Sequence, residues 1–180
     1  MLAAAFASDP PLSWFIPDVT RREALLRRHF AASIPLYAAS GSIWVSEAPA
    51  GAALWVAPGQ YPFRLREELR VLPDLLAVFG RWPRRGIGGL RALERRHPHH
   101  PPHWYLDYVG VEPERQGRGA GSALLAPMLA RCDMEGRGAY LNAGSPRSRD
   151  LYMRHGFEAR AEFRLPFGGP PLWRMWRDPA

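Results

Sequence analysis

The segment from Trp104 to Met134 constrains the fold of this chain most. Trp104-Tyr105-Leu106-Asp107-Tyr108-Val109-Gly110-Val111 is rich in aromatic and β-branched residues and reads as a strand. Glu112-Pro113 follows it, then Gln116-Gly117-Arg118-Gly119-Ala120-Gly121. An apolar stretch with Leu124, Leu125, Met128 and Leu129 reads as a helix running to about Met134. A strand that passes through a glycine-rich loop directly into a helix places the chain in the α/β (α+β) class. Pro127 lies well past the first turn, where it removes a hydrogen bond at a cost of about 3 kcal/mol, so a kink is expected there.

The same junction is an anion site by its chemistry. The first N–H groups of a helix have no intrahelical partners, and the positive end of the dipole points the same way. Glycines at 117, 119 and 121 let the main chain approach a phosphate without a Cβ clash, and Arg118 can add a charge-assisted bond. As a bare pattern the loop is weak in a chain so rich in Arg, Gly and Ala; its position between strand and helix gives it weight. A dinucleotide-binding reading fits poorly, because no acidic residue ends the next strand at the required distance.

Downstream, Tyr140-Leu141-Asn142 reads as a strand. Ser145-Pro146 starts a helix, with serine as N-cap and proline at the first helical position, and Gly156 ends it. Phe157 to Leu165 and Leu172 to Trp176 form a final antiparallel pair. Upstream, Met1 to Ala7 reads as a short helix that stops before Asp9-Pro10-Pro11. Asp18 caps a second helix, in which Ala24, Leu25, His29 and Phe30 recur at helical spacing. Strands are expected at 42–46 and 52–56, joined by a hairpin loop at 47–51. From about 62 to 96 the pattern is helical: Leu65, Leu69 and Leu72 share a face, Pro73 interrupts it, and Leu75, Leu76 and Phe79 resume the period. Gly86-Ile87-Gly88-Gly89 reads as a loop before a short helix at 90–94. His97-Pro98-His99-His100-Pro101-Pro102-His103 reads as an exposed linker; it lacks the cysteine or carboxylate that would complete a metal ligand set, so no metal site is expected.

At 180 residues the chain suits one domain spanning 1–180, with N-terminal helices and hairpin at 1–57, a helical insertion and His/Pro linker at 58–103, and a core at 104–180. No apolar run is long enough to span a bilayer. A single cysteine, Cys132, excludes an intramolecular disulfide and points to a reducing, cytoplasmic setting; its place in the helix makes it a core residue. The net charge is +7, carried by arginine with no lysine, so lysine-dependent phosphate and Schiff-base chemistry is excluded. The charge follows the compositional bias and makes nucleic acid a weak expectation.

In order and spacing, the elements from Trp104 to Phe163 resemble the GNAT superfamily of N-acetyltransferases. The segments that carry the resemblance are the strand 104–111, Val111-x-Pro113, the loop and helix start Gln116 to Leu125, Tyr140-Leu141, and Leu151-Tyr152-Met153-Arg154-His155-Gly156-Phe157. Asp9-Pro10, Trp14, Pro17-Asp18 and Ala53-Leu54-Trp55 are similar, more loosely, to a bacterial branch that includes puromycin-type acetyltransferases. The resemblance implies a central mixed sheet, splayed between the strands at 104–111 and 139–143 and flanked by helices, with acetyl-CoA in the V. It implies that main-chain N–H groups of residues 117 to 122 hold the pyrophosphate, so Gln116, Gly117, Arg118, Gly119, Ala120, Gly121 and Ser122 belong to the cofactor site. Val109, Gly110 and Val111 would flank the pantetheine and thioester, with Asn142, Ser148 and Tyr152 on the facing side. The sequence departs from the family in three ways. Family members usually have a strand before the first helix, and this chain begins inside that helix, so either the start is truncated or a sheet edge is missing, which would expose the strand at 42–46. Ser148 stands where asparagine is usual. About forty residues between the third and fourth strands form a helical insertion over the acceptor side.

The reaction so implied moves an acetyl group from acetyl-CoA to a primary amine, most simply on a small molecule. Acetylation of a protein N-terminus or lysine, or acyl-CoA sensing without catalysis, are the alternatives. Tyr152 matches the family tyrosine that protonates the departing thiolate. Asp107, a carboxylate in the middle of an apolar strand, is the candidate base, with His103 and Glu112 weaker candidates. The oxyanion would meet a main-chain N–H near Val109. Trp14, Phe15, Tyr37 and Trp55 are candidates for the acceptor pocket. No membrane partner is expected, and a homodimer is left open.

Overall fold

A computed structural model of the chain describes residues 1–39, 43–46 and 50–180, and among these the side chains of all but Glu68. Residues 47–49 of the hairpin loop expected at 47–51, and Ser42 of the expected strand, lie outside the described residues. The order is α1 (Leu2–Ala5), α2 (Pro10–Phe15), α3 (Val19–Ala38), β1 (Ile43–Val45), β2 (Gly51–Val56), α4 (Leu65–Phe79), α5 (Pro83–Glu94), β3 (Trp104–Val111), a 3-10 turn (Pro113–Arg115), α6 (Ala120–Met134), β4 (Ala139–Ala143), α7 (Pro146–Arg154), β5 (Glu158–Arg164) and β6 (Pro171–Arg177). The strands form one mixed sheet in the order β1-β2-β3-β4-β6-β5. Only β3 and β4 run parallel; the other neighbours are antiparallel.

The sheet separates two cores. Strand residues alternate between its faces, so Ala52, Leu54 and Val56 of β2 meet α1 to α5, while Ala53 and Trp55 go to the other side. There, Leu124, Leu125, Met128, Leu129 and Cys132 of α6 pack on Trp104, Leu106 and Leu141. Burial pushes the Cys132 thiol up to about 12, which fits the core role expected of it. Helix α6 runs on through Pro127. Asp18 caps α3 by accepting from Thr20 N (3.1 Å) and Arg21 N (3.2 Å), and Ser145 caps α7, as their sequence signatures predict.

Several upstream expectations fail. Asp9-Pro10-Pro11 does not merely end α1. Asp9 accepts from Leu12 N (3.1 Å) and starts α2, with proline at the first helical position. In α3, Leu26, Phe30, Ser33 and Tyr37 form the buried line, and Ala24 is exposed. Helix α4 continues through Pro73, and its buried side carries Val71, Val78 and Phe79. The face shared by Leu65, Leu69 and Leu72 is the outer one, with these leucines 71%, 57% and 42% exposed.

The glycine-rich run 86–89 lies inside α5 rather than in a loop. A Cβ at Gly86 would lie 2.2 Å from Phe79 Cγ, and one at Gly89 would lie 2.5 Å from the Phe15 ring. These glycines let α5 press against α4 and α2, and that close packing outweighs their poor helix propensity. The His/Pro segment is no exposed linker either. His97 and His103 are buried, with their Nε2 atoms 3.2 Å apart, among the rings of Tyr61, Tyr105, Tyr140 and Trp176. Residues 99–102 stay exposed. Among the described residues no three His, Cys, Asp or Glu side chains converge as metal ligands, and no helix is long and apolar enough to cross a membrane.

Gly86→Ala should lower unfolding free energy by about 1–3 kcal/mol, because the rigid Phe79 ring blocks the added methyl. Gly88→Ala meets only the outer edge of the exposed Phe167 ring, and should be neutral or stabilise by up to about 1 kcal/mol. Urea titration of the two variants checks the contrast. Burial also holds His97 down to about 3, so its contribution is fully present above the unfolded value near 6.5 and is lost as pH falls through that window. Between pH 7 and 4.5 wild type should therefore lose about 1–2 kcal/mol more stability than His97→Gln. Equal losses would show that His97 titrates normally.

Candidate active site

The site grows from a parting in the middle of the sheet. β3 and β4 pair only at Trp104–Ala139, Tyr105–Tyr140 and Leu106–Leu141. Beyond Leu106, β3 keeps its bonds to β2 as far as Val111, and β4 keeps its bonds to β6 as far as Ala143. Among the described residues the facing edges of 107–111 and 142–143 have no strand partner, and such polar edges must be satisfied by something else. A cavity of about 710 Å³ opens at this parting, between β3, β4, α2 and the starts of α6 and α7.

At one end the α6 junction supplies unpaired donors. Gly119 is its N-cap at φ 84°, and no side chain caps the first turn. Gly117 is also left-handed, at φ 76°, and a Cβ at either position would meet no neighbour. Both conformations favour glycine, and both leave the N-terminal amides of α6 open. Gln116 holds the loop on β3 by donating from Nε2 to Val111 O (3.0 Å). Ser122 Oγ lies 2.9 Å from His155 Nε2, which ties α6 to the end of α7. Arg147 and Arg154 of α7 also line the cavity.

At the centre, a β-bulge explains the unusual carboxylate. Leu54 pairs with Tyr108 and Trp55 with Leu106, so Asp107 has no opposite residue. Asp107 and Tyr108 thus both line the cavity. Asp107 Oδ2 accepts from Tyr37 Oη (2.5 Å) and its Oδ1 from Tyr105 Oη (2.8 Å). Burial raises its pKa, against the pull of those two hydrogen bonds. Tyr108 Oη lies 3.1 Å from His29 Nε2, and burial holds His29 neutral, with a pKa of about 4.

Tyr152 is buried on α7, edge-on to Phe157, and lines the cavity. Burial, and then the charge of Asp9, raise its pKa and keep the phenol protonated at neutral pH.

The pattern description "Acetyltransferase (GNAT) family" matches residues 43–157, more than half of the chain. The chain belongs to that family. Over 78 residues it is 38% identical to an uncharacterised N-acetyltransferase of Schizosaccharomyces pombe, which covers 42% of this chain; the chain spans only 32% of that curated relative's length. A solved structure from Corynebacterium glutamicum, described as histone acetyltransferase HPA2 and related acetyltransferase, is 33% identical and superposes with a TM-score of 0.74, covering 99% of this chain and 87% of its own. Arylalkylamine N-acetyltransferase 2 of Aedes aegypti shares the fold at 12% identity, with a TM-score of 0.55 over 98% of this chain and 90% of its own.

Within this GNAT domain, most of the cofactor residues expected from sequence gather around one cavity. Val109, Gly110, Val111, Gln116, Gly117, Gly119, Gly121, Ser122, Asn142, Ser148 and Tyr152 all line it. Arg118 and Ala120 belong to the same loop and helix start but do not line it. The Ser148 hydroxyl is engaged locally: it accepts from Ser145 N (3.1 Å) and donates to Ser145 O (2.9 Å). Asn142 Oδ1 accepts from Tyr140 Oη (2.9 Å). Of the four aromatic residues expected at the acceptor, only Phe15 lines the cavity. Tyr37 reaches it through Asp107. Trp14 packs against Phe15 and Gly89, and Trp55 lies on the opposite face, beneath α6; neither indole N–H has a partner among the described residues. His103 and Glu112 do not line the cavity.

Sequence reasoning missed Asp9, Leu12, Tyr105, Arg147 and Arg154, which all line it. For Asp9 a signal existed: an Asp-Pro pair is a helix-start signature. Gly119→Ala would force alanine into a left-handed conformation without meeting any neighbour. It should weaken coenzyme A binding by about tenfold or more in calorimetry, while the melting temperature moves by only a few degrees.

Proposed function

We propose that this protein transfers an acetyl group from acetyl-CoA to a primary amine carried by a small molecule. The observation that carries the reading is the continuity of one cavity, from the uncapped start of α6, along the unpaired edges of β3 and β4, to Tyr152. The chain's residues fit the donor. The α6 amides and glycine cradle suit a pyrophosphate, with Arg147 and Arg154 nearby. The open main-chain edges suit the amides of a pantetheine arm, which would enter as a strand enters a sheet. Bound acetyl-CoA supplies an activated thioester. A main-chain N–H near Val109 would stabilise charge on the carbonyl oxygen, and Tyr152 would protonate the departing sulfur.

A small acceptor is supported by the walls opposite the strands. Leu12 and Phe15 of α2, Leu93 of α5 and Leu172 of β6 give the cavity an apolar lining. Tyr152→Phe keeps the ring and removes the proton. It should lower kcat by about 100-fold or more with little change in KM for acetyl-CoA, measured as coenzyme A thiol released across a panel of primary amines. If wild type binds acetyl-CoA but no amine releases coenzyme A, the protein is an acyl-CoA sensor and the transfer reading fails.

A further inference from the structure

Two carboxylates line the cavity, and only one has an oxygen to spare. Both oxygens of Asp107 accept from tyrosine hydroxyls, Oδ2 from Tyr37 at 2.5 Å and Oδ1 from Tyr105 at 2.8 Å. Asp9 is different. Its Oδ2 accepts from Leu12 N at 3.1 Å, and its Oδ1 has no protein donor among the described residues.

Asp9 is also firmly placed. Its N–H donates to Phe6 O (3.1 Å), and its carbonyl accepts from Ser13 N (2.8 Å). Arg22 of α3 donates to Ala7 O (3.0 Å) and Ile16 O (2.8 Å), on either side of α2. The Asp9–Pro11 turn lies on Gly144, just past the end of β4. A Cβ at Gly144 would sit 2.8 Å from Pro11 Cγ and 3.2 Å from Asp9 Oδ1. The free oxygen therefore lies at the parted end of β4. Its charge acts on the phenols of Tyr108 and Tyr152, which line the same cavity. Burial outweighs the Leu12 bond and raises the Asp9 pKa to about 6, so at neutral pH the group is ionised yet basic enough to accept a proton. Leu12, Phe15, Leu93 and Leu172 line the same cavity with apolar side chains.

We propose that Asp9, not Asp107, receives the acceptor's ammonium group and takes its proton, and that the acceptor is a primary amine with an apolar body lying on Leu12, Phe15, Leu93 and Leu172. This rests on the acetyl-transfer reading. Asp9 takes one proton from the ammonium and gives it to water. The freed nitrogen pair forms the bond to the acetyl carbon, the C–S bond breaks, and its electron pair stays on sulfur. Sulfur takes the Tyr152 proton, and the nitrogen, still carrying one proton too many, restores it to Tyr152. Asp107 is a positioning residue, which ties Tyr37 of α3 to Tyr105 of its own strand.

Asp9→Asn is the decisive variant, because asparagine caps a helix as well as aspartate but cannot take the proton. The charged and titratable groups around Asp9 are Asp107 and Tyr108 of β3, Tyr152, Arg147 and Arg154 of α7, and Arg22 of α3. Coenzyme A release is measured from pH 5 to 9 with phenethylamine, hexylamine and ethanolamine, alongside acetyl-CoA affinity by calorimetry. For wild type, kcat/KM should rise through an ionisation near pH 6, and ethanolamine should be at least tenfold poorer than the two apolar amines. Asp9→Asn should bind acetyl-CoA normally, lose about 100-fold or more in kcat/KM and lose the limb near pH 6; Asp107→Asn should keep that limb, whatever its rate. An Asp9→Asn rate within threefold of wild type at every pH overturns the assignment of the base. Ethanolamine turnover equal to that of the apolar amines overturns the acceptor class. The limb is a property of wild type, so its absence overturns the proposal even if the variant misfolds. Acetyl-CoA binding without turnover of any amine instead defeats the underlying transfer reading, and this inference with it.

Discussion

The unpaired main chain between β3 and β4 is the constraint on which the rest of the structure depends. A sheet that parts at its centre leaves N–H and C=O groups along residues 107–111 and 142–143 without strand partners. Each such group costs free energy if it is buried unsatisfied. The fold keeps them accessible by opening a cavity there. Strong pairing on the outer sides holds the parting open: β3 to β2 as far as Val111, and β4 to β6 as far as Ala143. Below the parting, α6 fills the space under both strands with Leu124, Leu125 and Met128, so neither strand can collapse toward the other.

The bulge at Asp107 extends this logic to side chains. Regular alternation would send Tyr108 to the α6 side. The extra residue turns it to the same face as Tyr105 and Asp107, while Val109 and Val111 resume the α6 side. Three polar-tipped residues therefore meet the helical layer together. Tyr37 of α3 binds Asp107, and His29 of α3 lies against Tyr108. A single backbone irregularity thus fixes how the longest helix sits on the sheet, and α3 in turn holds α2 through Arg22.

What was legible in the sequence was what is local. The α6 junction, the Ser145-Pro146 start of α7 and the Gly156 stop rest on capping groups and on backbone conformations that glycine or proline favours, and each is encoded within a few residues. Features that depend on a distant partner were not legible. Gly86 and Gly89 resemble loop glycines until Phe79 and Phe15 are seen against them. His97 and His103 resemble a linker until four aromatic rings enclose them. Trp55 resembles a pocket residue because composition cannot say which face of a buried strand it takes. Asp9 looked like punctuation because its role needs Gly144, more than a hundred residues away.

This division follows the two halves of the cavity. The α6 end is built from main-chain amides and glycines, so its chemistry is written in backbone conformation and repeats wherever that conformation repeats. The facing end is built from side chains delivered by α2, α5 and β6, elements far apart in sequence, and its chemistry is written in tertiary placement. Charge of both signs lines the one cavity. Arg147 and Arg154 line the cavity from α7, the helix joined to the α6 start through His155 and Ser122, while Asp9 and Asp107 supply its carboxylates. His29, kept neutral by burial, adds no positive charge beside Tyr108. An anionic donor and a cationic acceptor would each find the opposite charge in this one cavity.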